Sequence, residues 1–460
     1  MEWIRERFLQ FDKKAISVGS TGTVTYGEFI GKIDYWHTVL RKWDVKAGDR
    51  IGFVADYRID VVALLQALLE TYCIIIPLAE DDHSLFEERL DVACATKVIS
   101  VADCEIMDEN SVICQNRDKQ PTSIHPLMVP LISERKSGFI IYTSGSTGNG
   151  KGVLLDYEKI VNKYKEKAGK AFRTLLFLKL DHIGGLNTLF SVVLNGGTII
   201  TSPSRQAEEI CQTVEKYSVE LLPTTPSFLT MLLMSNMYNN YDLSSLKVIS
   251  YGTEVMPSST LAGINRIFPD VTLKQTYGLS ELGIFSTKSK DSRSNWMKVG
   301  GKGIDVKIKD DVLWIKSDQA MLGYLNAPSP FDEDGWYNTG DKVEVDGEYI
   351  RILGRESEII NVAGEKVYPA EIESYLLTIK NVKDVVVRGK RSPITGQIIW
   401  AEFVLDEEED LTAFKKRINE ECQKGFPAFK IPRLITVTSD GNFVGSRFKK
   451  IRKSMVAGSN

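Results

Sequence analysis

Apolar and polar positions in the first 275 residues alternate between short buried runs and helical stripes. Residues 51–55 and 138–142 are apolar runs typical of strands inside a sheet. A helix with one buried face is indicated by the spacing of four apolar residues, Phe29, Ile33, Trp36 and Leu40. Residues 207–217 and 258–267 are predicted helices. This alternation predicts an α/β fold of parallel-type sheets covered by helices. Ligands of such sheets bind at the carboxyl ends of strands.

After about residue 298 the pattern becomes antiparallel β. One predicted hairpin turns at Asp310-Asp311, and a second turns at Asp346-Gly347, a dipeptide that suits a tight turn. Residues 298–355 are therefore expected to form a β-barrel-like subdomain of a large N-terminal domain, residues 1–355.

The remaining residues, 356–460, predict a small α+β domain. Helices are expected at 370–378 and 411–422, with strands near 383–388 and 398–405. The join near Arg355–Ser357 is short, so movement of this domain would use a hinge of one or two residues.

Length and charge narrow the functional class. A chain of 460 residues is longer than one hydrophobic core usually supports, so two or more domains are expected. Lys and Arg total 57 and Asp and Glu total 61, which gives a net charge of −4 and argues against a nucleic-acid partner. No apolar run is long enough for a membrane span, and the charged N-terminus is no secretory signal. Six cysteines without CxxC spacing predict reduced thiols in a cytoplasmic protein.

A glycine-rich segment, Tyr142–Gly152, follows the apolar run at 138–142. Glycines permit close approach to a ligand, and successive backbone N–H groups make an anion site. Gly145-x-x-x-x-Gly150-Lys151 also matches most of a P-loop, but Gly152 stands where Ser or Thr should hold magnesium. Residues 153–155 predict a strand where a P-loop needs a helix. A surface loop and a P-loop NTPase remain as alternatives.

Further motifs follow this segment in a family's order: Lys179–Gly185, Tyr251–Glu254, Thr276–Glu281 and Tyr337–Asp341. The sequence resembles the adenylate-forming enzymes, a superfamily that includes acyl- and aryl-CoA synthetases, nonribosomal adenylation domains and beetle luciferases. The resemblance covers nearly the whole chain. It implies a small, mobile C-terminal domain that acts as a lid.

The resemblance implies a nucleotide site. Phosphates would contact the glycine-rich segment, Tyr277 would stack on adenine, and Asp341 would bind the ribose hydroxyls. Glu281 would hold Mg²⁺ and is also a catalytic candidate; a solvated helix-start carboxylate is its structural alternative. Asn149-Gly150 replaces the family's x-Pro and predicts a more flexible loop. The expected cofactor-binding residues are Thr143, Ser144, Gly145, Ser146, Thr147, Gly148, Lys151, Gly252, Thr253, Glu254, Thr276, Tyr277, Gly278, Ser280, Asp341 and Arg355.

Other roles implied by the resemblance belong to the lid and the acid pocket. Ser357 stands at the hinge, and Gly364 would face the thiol arm. Lys449 is the expected catalytic lysine, with Lys450 as its rival, although the tail lacks the family's usual Pro, Thr and Gly. A merely basic tail is the structural alternative. His182 is expected beside the substrate carboxylate, and a structural histidine is the alternative.

The activity implied is ATP-dependent activation of a carboxylic acid as an acyl-adenylate, followed by transfer to a thiol. The implied cofactors are ATP, Mg²⁺ and CoA, or the phosphopantetheine of a carrier protein as partner. Asp181–Leu186 looks more like acyl- or aryl-CoA synthetases than amino-acid-activating relatives. A stand-alone amino-acid-activating domain, a P-loop NTPase and a non-catalytic nucleotide-binding relative remain alternatives.

Overall fold

The computed structural model describes residues 2–20, 22–79, 85–102, 108–119, 121, 123–143, 150–166, 168–393, 395–438, 443–445, 449, 450 and 452. Within this part of the chain the helices are α1 (Glu2–Leu9), α2 (Tyr26–Lys42), α3 (Ile59–Glu70), α4 (Phe86–Val92), α5 (Val129–Ser133), α6 (Tyr157–Val161), α7 (Ile183–Leu194), α8 (Ala207–Tyr217), α9 (Pro226–Ser235), α10 (Ser258–Ile267), α11 (Pro369–Leu376) and α12 (Leu411–Gly425). None of these described helices is both long and apolar enough to span a bilayer.

Two seven-stranded sheets form the large N-terminal part. Sheet A consists of β1 (Ala15–Gly19), β2 (Gly22–Thr25), β9 (Arg173–Leu175), β10 (Thr198–Ile200), β11 (Leu221–Thr224), β12 (Val248–Tyr251) and β13 (Thr272–Gln275). Its order is β13-β12-β11-β9-β10-β1-β2, and only the β1–β2 pair is antiparallel.

Sheet B consists of β3 (Arg50–Val54), β4 (Ile74–Leu78), β5 (Lys97–Val101), β6 (Val112–Asn116), β7 (Gly138–Thr143), β8 (Lys151–Asp156) and β20 (Gly323–Tyr324). Its order is β20-β8-β7-β4-β3-β5-β6, with a parallel centre and antiparallel outer pairs. The predicted parallel-type sheets with helices are confirmed.

One hydrophobic core joins the two sheets and their helices. Leu65 of α3, Phe139 of β7 and Ile199 of β10 are fully buried members of the same cluster. The stripe predicted on α2 is buried in this core, and Thr25 begins that helix by a capping box with Glu28. The two sheets therefore share one core with the helices that cover them.

A third sheet, sheet C, follows the parallel region. It contains β16 (Ser286–Ser289), β17 (Met297–Gly300), β18 (Ile304–Lys309), β19 (Val312–Ser317), β21 (Tyr337–Asp346) and β22 (Tyr349–Arg355), in the order β16-β17-β22-β21-β19-β18. Both predicted hairpins are present. The first turns at Asp310 and Asp311, whose φ angles of 54° and 60° suit a tight hairpin turn. A separate short pair, β14 (Gly278–Leu279) and β15 (Gly283–Ile284), precedes this sheet.

The C-terminal part has its own sheet and its own core. Sheet D contains β23 (Ile360–Val362), β24 (Glu365–Val367), β25 (Val382–Ser392), β26 (Gly396–Leu405) and β27 (Leu434–Val437). Val385, Phe403 and Phe414 belong to a cluster distinct from the large core. This α+β unit, with α11 and α12, is called the lid below. Residues 356–359 connect it to β22, and Ser357 lies exposed within that connection.

Two basic residues tie the end of the chain to the lid. Arg452 contacts the buried carboxylate of Glu373 through Nη2 at 2.7 Å and Nε at 3.1 Å. Glu373 also accepts a hydrogen bond from the Val387 N–H at 3.0 Å. Burial alone would raise the pKa of Glu373, but the charges of Arg452 and Lys450 outweigh it and lower that pKa.

We expect Glu373→Gln to destabilise the lid by about 3 kcal/mol, the lower end of the range for breaking a buried ion pair, because Arg452 keeps the more exposed Glu358, 3.1 Å away, as its counter-charge. The free energy of unfolding, followed by a fluorescence probe in the lid, measures this change. Glu344→Gln is the matched control, since the Glu344–Arg351 pair is solvent-exposed and should contribute about 1 kcal/mol or less. Equal losses in both variants would contradict the assignment.

Candidate active site

The glycine-rich segment connects two antiparallel neighbours, β7 and β8. Thr143 ends β7 and pairs directly with Lys151, the first residue of β8. A strand after the glycines, where a P-loop needs a helix, agrees with the sequence argument against an NTPase of that kind. Ser144, Gly145, Ser146, Thr147 and Gly148 lie outside the described residues.

The end of this segment is fastened by Asn326. Its Oδ1 accepts the Gly152 N–H at 2.9 Å, and its Nδ2 donates to the Gly150 carbonyl at 3.0 Å. A Cβ at Gly150 would lie 2.8 Å from the Thr143 carbonyl oxygen. Glycine at this position is therefore explained by close backbone approach, whereas the sequence suggested flexibility. Residue 149 lies outside the described part.

Lys151 and Glu281 approach the same aromatic ring. The Lys151 ammonium is 4.8 Å from the centroid of the Tyr324 ring. The Tyr324 hydroxyl donates to Glu281 Oε1 at 2.7 Å. Burial first, and then the charge of Glu281, raises the pKa of Tyr324, so this hydroxyl remains a donor. Tyr324 thus links the end of the glycine-rich segment to Glu281, the carboxylate expected to bind Mg²⁺.

Asp341 and Tyr277 form a buried hydrogen bond. The Tyr277 hydroxyl donates to Asp341 Oδ2 at 2.5 Å, and Arg355 Nε lies 3.3 Å from Asp341 Oδ1. The Tyr277 ring packs near Phe285, with centroids 6.0 Å apart. Burial raises the pKa of Asp341, and Arg355 and Tyr277 offset only part of that rise. The structure brings these three predicted nucleotide residues together.

The predicted adenine turn lies at the carboxyl end of β12. A Cβ at Gly252 would lie 2.4 Å from Thr276 Oγ1, so packing against the end of β13 already requires glycine there. Thr253 is exposed and has a left-handed φ of 74°. Strain of this kind in a loop at a strand end is typical of a ligand site.

Glu254 makes contacts that the sequence did not predict. Its Oε2 accepts the Ser227 hydroxyl at 2.6 Å, and its Oε1 accepts the Lys450 backbone N–H at 2.6 Å. Its carboxylate therefore joins the large domain to the tail of the lid. A nucleotide-binding role for Glu254 remains a prediction, and in this conformation its side chain has a structural partner.

His182 caps the N-terminus of α7. Its Nδ1 accepts the Gly184 N–H at 3.0 Å, so a neutral ring carries its proton on Nε2. Lys449 Nζ lies 3.4 Å from that Nε2. Two nitrogens that can both donate thus point into one pocket, which is lined also by Phe177, Leu178, Lys179, Thr225 and Thr253. This arrangement suits an anionic oxygen.

Lys450 points the other way. Its Nζ lies 2.9 Å from Asp384 Oδ1 and donates to the Val385 carbonyl at 2.6 Å, inside the lid. Both Lys450 and Asp384 side chains are at most 10% exposed. Of the two rival lysines, only Lys449 reaches the pocket at His182 in this conformation.

Three other predicted residues lie at less informative places. Gly278 begins β14 and Ser280 follows that strand, both partly buried near Glu281. Gly364 is exposed, with a φ of 91° in the turn between β23 and β24, and a Cβ there would meet open space. In this conformation Gly364 does not approach the pocket at His182 through any described contact.

Sequence reasoning missed Tyr324, Asn326 and Ser227. Tyr324 and Asn326 lie between the Thr276–Glu281 and Tyr337–Asp341 motifs and belong to neither. The pairing of β20 with β8 brings them to the site. Ser227 lies in α9, outside all the motifs. No local pattern marks these residues, because their role depends on sheet order.

A magnesium site is compatible with Glu281. Among the described residues, no three His, Cys, Asp or Glu side chains gather into a protein-only metal site. Mg²⁺ commonly takes one or two carboxylates together with substrate phosphates. The buried carboxylate of Glu281, near the end of the glycine-rich segment, fits that type of site.

Comparison with known proteins identifies the family. The model of the AMP-binding enzymes matches residues 5–325, and the model of their C-terminal domain matches residues 371–441. The chain belongs to the AMP-binding enzyme family. The resemblance to adenylate-forming enzymes is thereby confirmed.

Curated relatives of this AMP-binding enzyme are named CoA ligases. It is 28% identical to 4-coumarate:CoA ligase 1 of Petunia hybrida over 59% of this chain and 56% of the relative. It is 30% identical to indoleacetate–CoA ligase of Aromatoleum aromaticum over 60% of this chain and 58% of the relative. The chain thus aligns with little more than half the length of these relatives. With 2-succinylbenzoate–CoA ligase of Bacillus licheniformis, identity is 24% over 94% of both.

The fold is shared with solved structures. The anthranilate CoA ligase in complex with anthranoyl-AMP has a TM-score of 0.79 at 19% identity, over 97% of this chain and 94% of that one. At this identity the likeness shows the fold: a large N-terminal domain and a smaller C-terminal one.

The raised pKa of Asp341 predicts a cost to stability. A carboxyl that ionises less readily when folded loses stability as pH rises from its usual pKa of 3.8 through the raised value. Asp341→Asn should therefore be at least as stable as wild type at pH 7, and its advantage should shrink toward pH 4. Thermal unfolding across this pH range measures the difference. A clear destabilisation of the variant at pH 7 would contradict the prediction.

Proposed function

We propose that this protein activates a carboxylic acid with ATP, forms an acyl-adenylate and transfers the acyl group to the thiol of CoA. The observation that carries the proposal is the pair formed by His182 and Lys449, two donors 3.4 Å apart in a pocket between the domains. Names of the curated relatives favour CoA as acceptor. A carrier-protein phosphopantetheine, the other acceptor considered, has no support among them.

In the first step a carboxylate oxygen attacks the α-phosphorus of ATP, and the bond to pyrophosphate breaks. Both reactants are anions, so their approach is unfavourable without positive charge nearby. Lys449 would donate to the oxygens at which charge develops, and His182 Nε2 would orient the carboxylate. Asp341 would accept the ribose hydroxyls once ionised, with Tyr277 and Arg355 holding it in place.

Two of the proposed contacts involve phosphate. Lys151 would bind the leaving pyrophosphate from the start of β8. Glu281 is the residue that would hold Mg²⁺, which when bound offsets phosphate charge. Tyr324 lies between Lys151 and Glu281 and would hold both side chains in position.

In the second step the thiol sulfur attacks the adenylate carbonyl, the carbon–oxygen bond to AMP breaks, and the thiol proton passes to water. Lys449 then has no further role at phosphorus. The lid would turn about Ser357 and bring Gly364 to the thiol arm, with the domain boundary after Arg355. The exposed residues 356–358 of the connection and the separate core of the lid support this motion.

Lys449→Ala should slow adenylation by a factor of about 10²–10³, because one donor to the developing charge is lost. Acid-dependent exchange of pyrophosphate into ATP measures this step. Thioester formation from preformed adenylate should change little. An equal loss in both half-reactions would contradict the role of Lys449.

Lys450→Ala separates the two lysines. It leaves Asp384 buried without its counter-charge, so it should lower the melting temperature of the lid. Lys449→Ala should leave that melting temperature nearly unchanged. If Lys450→Ala were fully stable and lost adenylation alone, Lys450 would be the catalytic residue.

The acid class is tested by the same exchange assay across fatty, aromatic, dicarboxylic and amino acids. Exchange with non-amino carboxylic acids supports the proposal. Exchange with amino acids only would favour a stand-alone amino-acid-activating domain. No exchange with any acid would overturn the proposed activity.

A further inference from the structure

Lys163 lies where the segment after α6 meets α7 and β15. Its Nζ donates to Asn187 Oδ1 at 2.6 Å, to the Ile284 carbonyl at 3.3 Å and to Gln319 Oε1 at 3.4 Å. All three acceptors are neutral. Among the described residues, no carboxylate forms an ion pair with this ammonium. We call Lys163, Asn187, Gln319 and the Ile284 carbonyl the distal cluster.

Lys163 is exposed to solvent, and three polar groups contact its ammonium. Nevertheless, burial by the surrounding protein lowers the pKa of Lys163 to about 8. The ammonium therefore stays mostly charged at neutral pH. A surface lysine that merely covers a helix would have neither three fixed acceptors nor this environment.

The distal cluster is built on the two elements that carry the proposed acid site. Asn187 is five residues beyond His182, about 7.5 Å farther along the axis of α7. Ile284 is three residues beyond Glu281, on the strand that follows it. An acid whose carboxylate lies at His182 and Lys449 and whose body follows α7 would therefore end near Lys163.

We propose that the distal cluster binds a second carboxylate at the far end of the substrate, so that the preferred acids are dicarboxylic. The inference rests on the proposed acid activation. An uncompensated ammonium is matched by one negative charge, and the amide groups of Asn187 and Gln319 supply further donors. A neutral substrate end would instead leave this ammonium without a counter-charge.

The test compares each of glutarate, adipate and suberate with its own monoamide, in the pyrophosphate exchange assay. The amide keeps the length and removes only the distal charge. Wild type should favour the diacids by about 10–100-fold in kcat/KM, the range of a hydrogen bond to a charged group. Lys163→Met should abolish that preference mainly through KM, while Lys163→Arg should retain much of it.

Lys159→Met is the matched control, since Lys159 is exposed on the neighbouring helix α6. It should keep the wild-type preference. Equal use of diacids and monoamides by wild type, or an unchanged preference in Lys163→Met, would overturn this inference and leave the proposed activity intact. Should Lys163→Met not fold, the ratio measured for wild type and Lys163→Arg decides. Absence of exchange with every acid would overturn both proposals.

Discussion

The candidate site depends on how Lys449 and Lys450 are held between the two domains. The Lys450 backbone N–H binds Glu254 of the large domain, while the Lys450 ammonium is buried against Asp384 of the lid. Lys450 is thus held by the large domain through its backbone and by the lid through its side chain. Its neighbour Lys449 is thereby directed toward His182. A long, flexible ammonium is effective only when its backbone is placed in this way. Arg452 and the buried Glu373 keep the same segment on the lid.

This arrangement is also compatible with the proposed movement of the lid. Its own core lies in sheet D and α12 and is distinct from the large core. The described contacts across the interface include hydrogen bonds of Lys450 with Glu254 and of Ser258 with Ser374, and the approach of Lys449 to His182. Polar contacts of this type exchange readily for water. In the proposed cycle, a rotation about the connection after Arg355 would separate adenylation from thiol attack.

Much of the fold could be predicted from sequence, because period and turn chemistry are local. The buried stripe of α2, the Asp310-Asp311 hairpin and the strand after Lys151 all followed from residue pattern. Site residues carried by motifs, such as Tyr277 and Asp341, also come together. What could not be predicted depends on long-range pairing. Asn326 fastens Gly150 only because β20 lies beside β8, and Glu254 meets Lys450 across the interface between two domains.

The proposed function depends above all on attack of a carboxylate on the α-phosphorus of ATP at the pocket of His182 and Lys449. The most direct measurement supplies an acid labelled with ¹⁸O in its carboxylate and examines the AMP released after thiol transfer by phosphorus NMR. Attack by the acid and cleavage at the carbonyl predict one labelled oxygen in AMP and none in pyrophosphate. Unlabelled AMP, or ADP with labelled phosphate, would contradict the account.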